Sequence, residues 1–143
     1  YGAIPSARTQ VGKFSKVYGL DVDSKKIEEL KEALKKEEES ANIDFVVADI
    51  TKGLPFKDGE VTRIVTDPPW GGFDKTINIE KLYESMFKEC ARVLSKDGVM
   101  VLLVNRESIA PKMVSQFGFK VVKTYDVLVS GMKASVYKLT RLI

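Results

Sequence analysis

The sequence predicts an α/β fold, with helices on both faces of a mostly parallel sheet and an antiparallel hairpin at the end of the chain. Strand-like and helix-like stretches alternate along the 143 residues. The last two strand-like stretches, 119–129 and 134–140, flank the turn signal Ser130-Gly131. Hydrophobic residues make up 44% of the chain, which is enough apolar material for one core. We therefore expect a single domain over residues 1–143.

The first half of the chain contains three short apolar stretches typical of strands, at residues 16–21, 43–49 and 61–66. Ser24 is a predicted helix cap, and the helix runs to about Lys36 with an apolar face formed by Ile27, Leu30 and Leu34. Glycine and proline between residues 51 and 60 predict a loop that returns the chain to the sheet.

The second half begins with a helix from Glu80, whose apolar residues repeat at helical spacing. Asp97-Gly98 is the predicted end of that helix. The strand at 99–104 is apolar throughout, which predicts a central position in the sheet. A further helix is expected at 108–117, before the terminal hairpin.

Composition excludes several classes of site. The chain has one cysteine, Cys90, and no histidine, which rules out an internal disulfide, Cys/His metal clusters and histidine-dependent nucleophiles. No apolar run approaches the roughly 20 residues of a membrane span, and the first residues lack a signal-peptide layout. We expect a cytoplasmic protein without a metal. Lysine and arginine exceed the acids by only 23 to 20, which is compatible with nucleic acid but does not identify it.

Three predicted strands have an acidic residue at the carboxyl end, where open α/β sheets bind their ligands: Asp21, Asp49 and Asp67. Asp21 could accept both hydroxyls of a ribose, and Asp23, on the same face, is the alternative. Asp49 could accept from the exocyclic amine of an adenine. Each also has a purely structural interpretation, as a helix N-cap or as a solvated turn aspartate.

The most specific motif is Asp67-Pro68-Pro69-Trp70, directly after the third strand. An aromatic amine is a poor nucleophile, so an enzyme must place acceptors that favour its pyramidal form. The Asp67 carboxylate and the Pro68 carbonyl can supply two acceptors, and the proline pair makes them rigid. Trp70 offers a flat surface for stacking a base. The structural alternative is a rigid turn with a core tryptophan.

Asp-Pro-Pro-Trp, preceded by Gly-Leu-Asp-Val-Asp and Val-Ala-Asp, resembles the Rossmann-like S-adenosylmethionine-dependent amino-methyltransferases with an (Asn/Asp/Ser)-Pro-Pro-(Tyr/Phe/Trp) motif. The motif order differs from that of the permuted mRNA adenine methyltransferases. Thr-Asp-Pro-Pro-Trp-Gly-Gly is most similar to RNA guanine-N2 methyltransferases, including tRNA enzymes with an N-terminal THUMP domain. The resemblance implies Asp67, Pro68, Pro69 and Trp70 as catalytic residues and S-adenosylmethionine as cofactor.

Tyr1-Gly2-Ala3-Ile4-Pro5 resembles the tail of that family's glycine-rich cofactor loop. The resemblance thus implies cofactor contacts from Gly2, Ala3, Asp21, Asp49 and Asp67. It also implies that the first strand of the fold is missing from this chain. We expect the remaining N-terminal segment, or a separate substrate-binding domain, to act together with these residues on RNA, with tRNA as the expected partner.

Two other functions remain open at this point. DNA adenine-N6 or cytosine-N4 methylation would use the same acceptor geometry. A non-catalytic scaffold with a methyltransferase fold would bind RNA or an active subunit, although such a protein has no physical need for the Asp67-Pro68 acceptor pair. A dehydrogenase would give no reason for two prolines at the strand end.

Overall fold

The computed structural model describes residues 14–36, 42–71 and 76–142. They form two compact units, which divide between Gly53 and Leu54. Within the described residues, no helix is both long enough and apolar enough to cross a membrane.

The first unit contains two parallel strands and one helix. Strands β1 (Val17–Asp21) and β2 (Ile43–Val47) pair in register from Val17 opposite Ile43 to Asp21 opposite Val47. Helix α1 (Ser24–Leu34) connects them. Its apolar face packs with the strands in a small core of Ile27, Leu34, Ile43 and Phe45, flanked by Val17, Leu30 and Ala33. The predicted strands and the apolar face of the helix are therefore confirmed.

The predicted helix cap at Ser24 is wrong by one residue. Asp23 has extended backbone angles, and its Oδ1 accepts from the backbone N–H groups of Lys25 (3.0 Å) and Lys26 (3.3 Å). These are the second and third helical residues, the groups that an N-cap side chain reaches. Ser24 is already the first residue of the helix, and the helix ends at Leu34 instead of near Lys36.

The second unit contains a mixed four-stranded sheet in the order β3-β4-β6-β5. Its strands are β3 (Val61–Thr66), β4 (Leu94–Asn105), β5 (Phe119–Val129) and β6 (Met132–Arg141). β3 runs parallel to β4, whereas β6 is antiparallel to both β4 and β5. The predicted terminal hairpin and the central position of the apolar fourth strand are both confirmed.

One face of this sheet forms the core of the unit. Met100, Leu102 and Val104 alternate along β4 and are fully buried. Helix α2 (Ile79–Val93) contributes an apolar face, and Phe87 on that face contacts Phe119 of β5 with ring centroids 6.1 Å apart. The helical spacing seen in the sequence is therefore the spacing of core residues.

The predicted boundary at Asp97-Gly98 is wrong, because α2 ends at Val93 and β4 begins at the next residue. Val61 pairs with Leu94 and Arg63 with Val99, so β4 advances five residues while β3 advances two. The three extra residues form a bulge that contains the Asp-Gly turn signal. The expected helix at 108–117 is also shorter, with α3 (Ala110–Met113) followed by a 3-10 turn (Ser115–Phe117).

The loop before β3 is fastened to α2 by Arg92. Its guanidinium donates to the carbonyls of Leu54 (3.0 Å) and Phe56 (2.7 Å) and pairs with both carboxylate oxygens of Glu89 (2.9 and 2.8 Å). Glu89 also accepts from the Leu54 N–H at 2.7 Å. Hydrogen bonding to Arg92 is the main reason why the pKa of Glu89 lies below its usual value.

Candidate functional site

The Asp67–Trp70 segment lies at the carboxyl end of β3, as predicted. β3 ends at Thr66, because Pro68 and Pro69 have no N–H to continue the ladder. Pro68 is buried, whereas Asp67 and Pro69 are exposed. Gly71 then turns the chain with a φ of +84°, where a side chain would be strained and would also approach Ile79. The motif is therefore a rigid loop that presents Asp67 to solvent.

The indole of Trp70 forms hydrogen bonds to this loop and to β4. Its Nε1 donates to Asp67 Oδ1 at 3.2 Å and to the carbonyl oxygen of Leu103, in β4, at 3.3 Å. The ring is half-buried, so it is neither a core tryptophan nor a free surface side chain. This arrangement orients both the ring and the carboxylate, because one shared donor fixes their relative position.

Tyr83 of α2 contacts this loop, and no motif in the sequence had singled it out. Its side chain is fully buried, and its hydroxyl donates to the Pro69 carbonyl at 2.7 Å. Burial raises the pKa of Tyr83, hydrogen bonding with the Ser108 hydroxyl opposes that rise, and the negative charge of Asp67 adds to it. The phenol therefore stays protonated and remains a donor. The only available signal was a tyrosine in a helix face that is otherwise apolar.

The carboxyl end of β4 adds an acceptor at the same edge of the sheet, since β3 and β4 are parallel. The Asn105 side-chain oxygen is buried and has no hydrogen-bond partner among the residues that the structure describes. Buried polar atoms are usually paired, so an unpaired one requires an explanation. Sequence reasoning also missed Asn105, because it ends an apolar strand without any motif.

In the first unit, Asp21 ends β1 and Asp49 lies two residues after the neighbouring parallel strand β2, so both stand at one edge of that sheet. Asp21 Oδ1 accepts from the backbone N–H of Asp23 at 2.9 Å, which fixes the carboxylate at the end of its strand. Asp23, the alternative ribose ligand, caps α1 as described above. The structure thus gives Asp23 a structural role and leaves ribose binding by Asp21 as a prediction.

Asp49 starts a 3-10 turn at Ile50–Lys52. Its Oδ1 accepts from the hydroxyl of Thr51 at 2.6 Å and from the N–H of Thr51 at 2.9 Å. These two bonds hold the pKa of Asp49 below its usual value, and the bond from the Thr51 hydroxyl has the larger effect. The side chain is therefore an ionised acceptor at neutral pH. Its proposed contact with an adenine amine remains a prediction.

Gly19 has a packing role in β1. A Cβ atom at this position would lie 2.5 Å from the Phe45 ring, so the glycine makes room for a core side chain of β2. Gly2 and Ala3, the other predicted cofactor contacts, lie outside the described residues.

Alternative chemistries receive no support from the described side chains. No group of three or more Cys, Asp or Glu residues in the described ranges is arranged to hold a metal ion. Burial raises the pKa of the Cys90 thiol to about 12, with a smaller contribution from the charge of Glu89. Cys90 is therefore an inert core residue.

The chain is similar to known methyltransferases in sequence and in structure. The family model UPF0020, described as an RMKL-like methyltransferase domain, matches residues 4–135. A tRNA (guanine(6)-N2)-methyltransferase of Methanocaldococcus jannaschii is 24% identical over 126 residues, which cover 87% of this chain and 33% of that protein.

Solved structures agree with the family match. TrmN from Thermus thermophilus is 27% identical and superposes with a TM-score of 0.71 over 89% of this chain and 36% of its own. An S-adenosylmethionine-dependent methyltransferase from Methanosarcina mazei shares the fold, with a TM-score of 0.77 and 13% identity over 99% of this chain and 87% of its own.

The chain spans about a third of the length of the M. jannaschii and T. thermophilus proteins. The family model nevertheless covers most of its residues, and the fold is that of a Rossmann-like methyltransferase. This chain therefore belongs to the family of RMKL-like methyltransferase domains.

Proposed function

We propose that the protein transfers the methyl group of S-adenosylmethionine to the exocyclic N2 amine of a guanine in RNA, with tRNA as the substrate. The observation that carries this proposal is the rigid Asp67–Trp70 loop at the end of β3. An exposed carboxylate and a proline-fixed carbonyl form an acceptor pair suited to an amine that must become pyramidal.

The first unit fits the cofactor in two respects. Asp21 and Asp49 lie at the ends of adjacent parallel strands, where nucleotide ligands bind in open α/β sheets. In each carboxylate the local hydrogen bonds are made by Oδ1. Each carboxylate therefore keeps acceptor capacity for the hydroxyl and amine groups of a cofactor. When bound, S-adenosylmethionine supplies the electrophilic methyl group. Gly2 and Ala3 would complete its site.

Within the second unit, each residue of the loop has a distinct task. Asp67 and the Pro68 carbonyl accept hydrogen bonds from the amine and favour its pyramidal, nucleophilic form. Trp70 stacks the base, a contact worth about 1–3 kcal/mol. As the new N–C bond formed and the bond between the methyl carbon and the donor's sulfur broke, the nitrogen would lose one proton, which the exposed Asp67 carboxylate would pass to solvent.

An RNA substrate is supported by the hairpin of the second unit. Lys123 and Lys138 face each other directly across β5 and β6, and both are exposed. Like charges in this position destabilise a sheet, and neither lysine has an ion-pair partner among the described side chains. The Lys123 ammonium lies 4.9 Å from the ring centroid of Tyr125, which is 47% exposed. A phosphate backbone would relieve this repulsion, and the aromatic ring could stack an unpaired base.

The choice of guanine N2 in tRNA is further supported by the name of the M. jannaschii relative. A tRNA substrate also agrees with the expected location in the cytoplasm. Mass-spectrometric nucleoside analysis of RNA from cells that lack the natural protein tests the choice. We expect N2-methylguanosine to fall at one tRNA position, and re-expression of the protein to restore it. Loss of an N6-methyladenine or N4-methylcytosine mark instead would replace the proposed substrate.

A further inference from the structure

Tyr83 carries the only hydroxyl on the buried face of α2. The other buried residues on this face are Met86, Phe87, Cys90 and Val93. A phenylalanine at position 83 would fill nearly the same volume without burying a hydroxyl, which is costly unless it is hydrogen-bonded. The Tyr83 hydroxyl is bonded at 2.7 Å, and its acceptor is a carbonyl of the Asp67–Trp70 loop. The hydroxyl therefore stabilises the conformation of the Asp67–Trp70 loop.

The Pro69 carbonyl has no partner in the strand ladder, because β3 has already ended at Thr66, and the Tyr83 hydroxyl supplies one. The Pro68 and Pro69 carbonyls belong to consecutive peptide planes that meet at the Cα of Pro69. Two dihedrals set the relative orientation of these planes, and the proline ring locks one of them, φ. The bond from Tyr83 restrains the other, ψ. Restraining the Pro69 carbonyl therefore also orients the Pro68 carbonyl, the acceptor assigned to the substrate amine.

A second restraint acts on the other side of the same peptide. The plane that contains the Pro69 carbonyl continues into Trp70, whose indole is held by Asp67 and by the Leu103 carbonyl. Tyr83 also interacts with the Ser108 hydroxyl, which accepts from the Ala110 N–H at 3.1 Å. The phenol thus connects the loop after β3 with the segment after β4.

We propose that Tyr83 is a positioning residue for amine methylation, which acts by fixing the Pro69 carbonyl and through it the Pro68 acceptor and the Trp70 ring. This inference rests on the proposed function. Tyr83 does not touch the base in this account. It sets the geometry of the groups that do, and so it contributes to the rate of the chemical step rather than to binding.

The test is Tyr83→Phe in the natural protein, assayed with S-adenosylmethionine and tRNA that lacks N2-methylguanosine. We expect kcat to fall about threefold to tenfold, the effect of one net hydrogen bond on a barrier, with KM for RNA and Kd for the cofactor within twofold of wild type. Tyr137→Phe is the matched control, since no hydrogen bond of its hydroxyl is found among the described residues. It should leave kcat unchanged.

Two further measurements separate positioning from folding. Trp70 is the only tryptophan of this chain, so a 5-fluorotryptophan label assigned by Trp70→Phe reports on the loop directly by fluorine NMR. Its resonance should shift or broaden in Tyr83→Phe and remain in place in Tyr137→Phe. Incorporation of 4-aminophenylalanine at position 83 retains a hydrogen-bond donor and should restore both kcat and the resonance.

An unchanged kcat and an unchanged Trp70 resonance in folded Tyr83→Phe would overturn this inference and leave the proposed function intact. The same holds if 4-aminophenylalanine fails to restore a lost rate. If the wild-type protein transfers no methyl group to RNA, the proposed function fails. The resonance would then still show whether Tyr83 fixes the loop.

Discussion

Replacing Asp67 by alanine should separate catalysis from stability. Asp67 is exposed and shares the Trp70 indole donor with Leu103, so the donor keeps a partner when the carboxylate is removed. A net hydrogen bond contributes about 0.5–1.5 kcal/mol, and an exposed, shared one lies at the lower end. The melting temperature should therefore fall by no more than about 1–3 °C.

Turnover should respond much more strongly. The loss of one preorganised polar contact to the reacting group costs about 2.7–4 kcal/mol, which corresponds to roughly a 100- to 1,000-fold lower kcat. Cofactor affinity should remain nearly constant if Asp67 acts on the amine, whereas a large loss would support the cofactor contact that the family resemblance implies for Asp67. Asp67→Asn keeps an acceptor oxygen in the same place and should retain more activity than Asp67→Ala. Asp97→Ala removes an exposed carboxylate from the bulge of β4 and is the matched control.

The assay is single-turnover transfer of labelled methyl from S-adenosylmethionine to RNA, with thermal unfolding followed on the same preparations. An Asp67→Ala protein that loses several degrees of thermal stability but keeps its turnover per folded molecule would contradict a catalytic role for Asp67. In that case Asp67 would brace the turn and take no part in the chemistry.

Three other predictions test separate parts of the account. Because the pKa of Glu89 is lower in the folded state than its usual 4.5, its ion pair with Arg92 stabilises the fold above about pH 4.5 and is lost as the pH falls further. The free energy of unfolding in urea should therefore depend less on pH below that value in Glu89→Gln than in the wild-type protein. Combining Lys123→Gln with Lys138→Gln should weaken RNA binding roughly threefold to tenfold, without a change in cofactor affinity. The slope of log K against log salt should also decrease in magnitude by about 1.5. An unaltered slope would show that the two lysines do not contact the RNA. Gly19→Ala should destabilise the protein by about 1–3 kcal/mol in denaturant titrations, since its Cβ would collide with the Phe45 ring, and a neutral result would mean that the core repacks easily.

Local sequence signals located the strands well, and for β3 and β5 to the residue. β3 spans Val61–Thr66 as expected, because a pair of prolines can only follow the last hydrogen-bonded residue. The hairpin was also predicted, since its two strands flank the turn signal Ser130-Gly131. In the structure both turn residues have positive φ, as a tight hairpin turn requires. In these cases the information lies within a few residues of the structure that it determines.

The errors arose where distant contacts override a local signal. Asp97-Gly98 is a strong turn signal, but it lies in a bulge, and Leu94 is already in the strand, where Arg141 donates to its carbonyl at 2.8 Å. Asp23 and Ser24 are both good N-caps by residue type, and only the backbone angles select the aspartate.

The candidate site was predicted only as far as its motif. Asp67–Trp70 lies at the strand end where sequence reasoning placed it. Tyr83 and Asn105 were missed because their importance depends on what they face. A tyrosine at helical spacing has the same pattern as a core residue, and its acceptor at Pro69 is 14 positions away in the chain.

We propose above that the Asp67–Trp70 loop directs methyl transfer to guanine N2 in RNA. In the most direct test, the purified natural protein is incubated with S-adenosylmethionine that carries a deuterated methyl group and with tRNA that lacks N2-methylguanosine. The nucleosides of the tRNA are then analysed by mass spectrometry. We expect deuterated N2-methylguanosine with the wild-type protein and at least a 100-fold lower rate of its formation with Asp67→Ala. Deuterium found on another nucleoside, or equal labelling by both proteins, would contradict it.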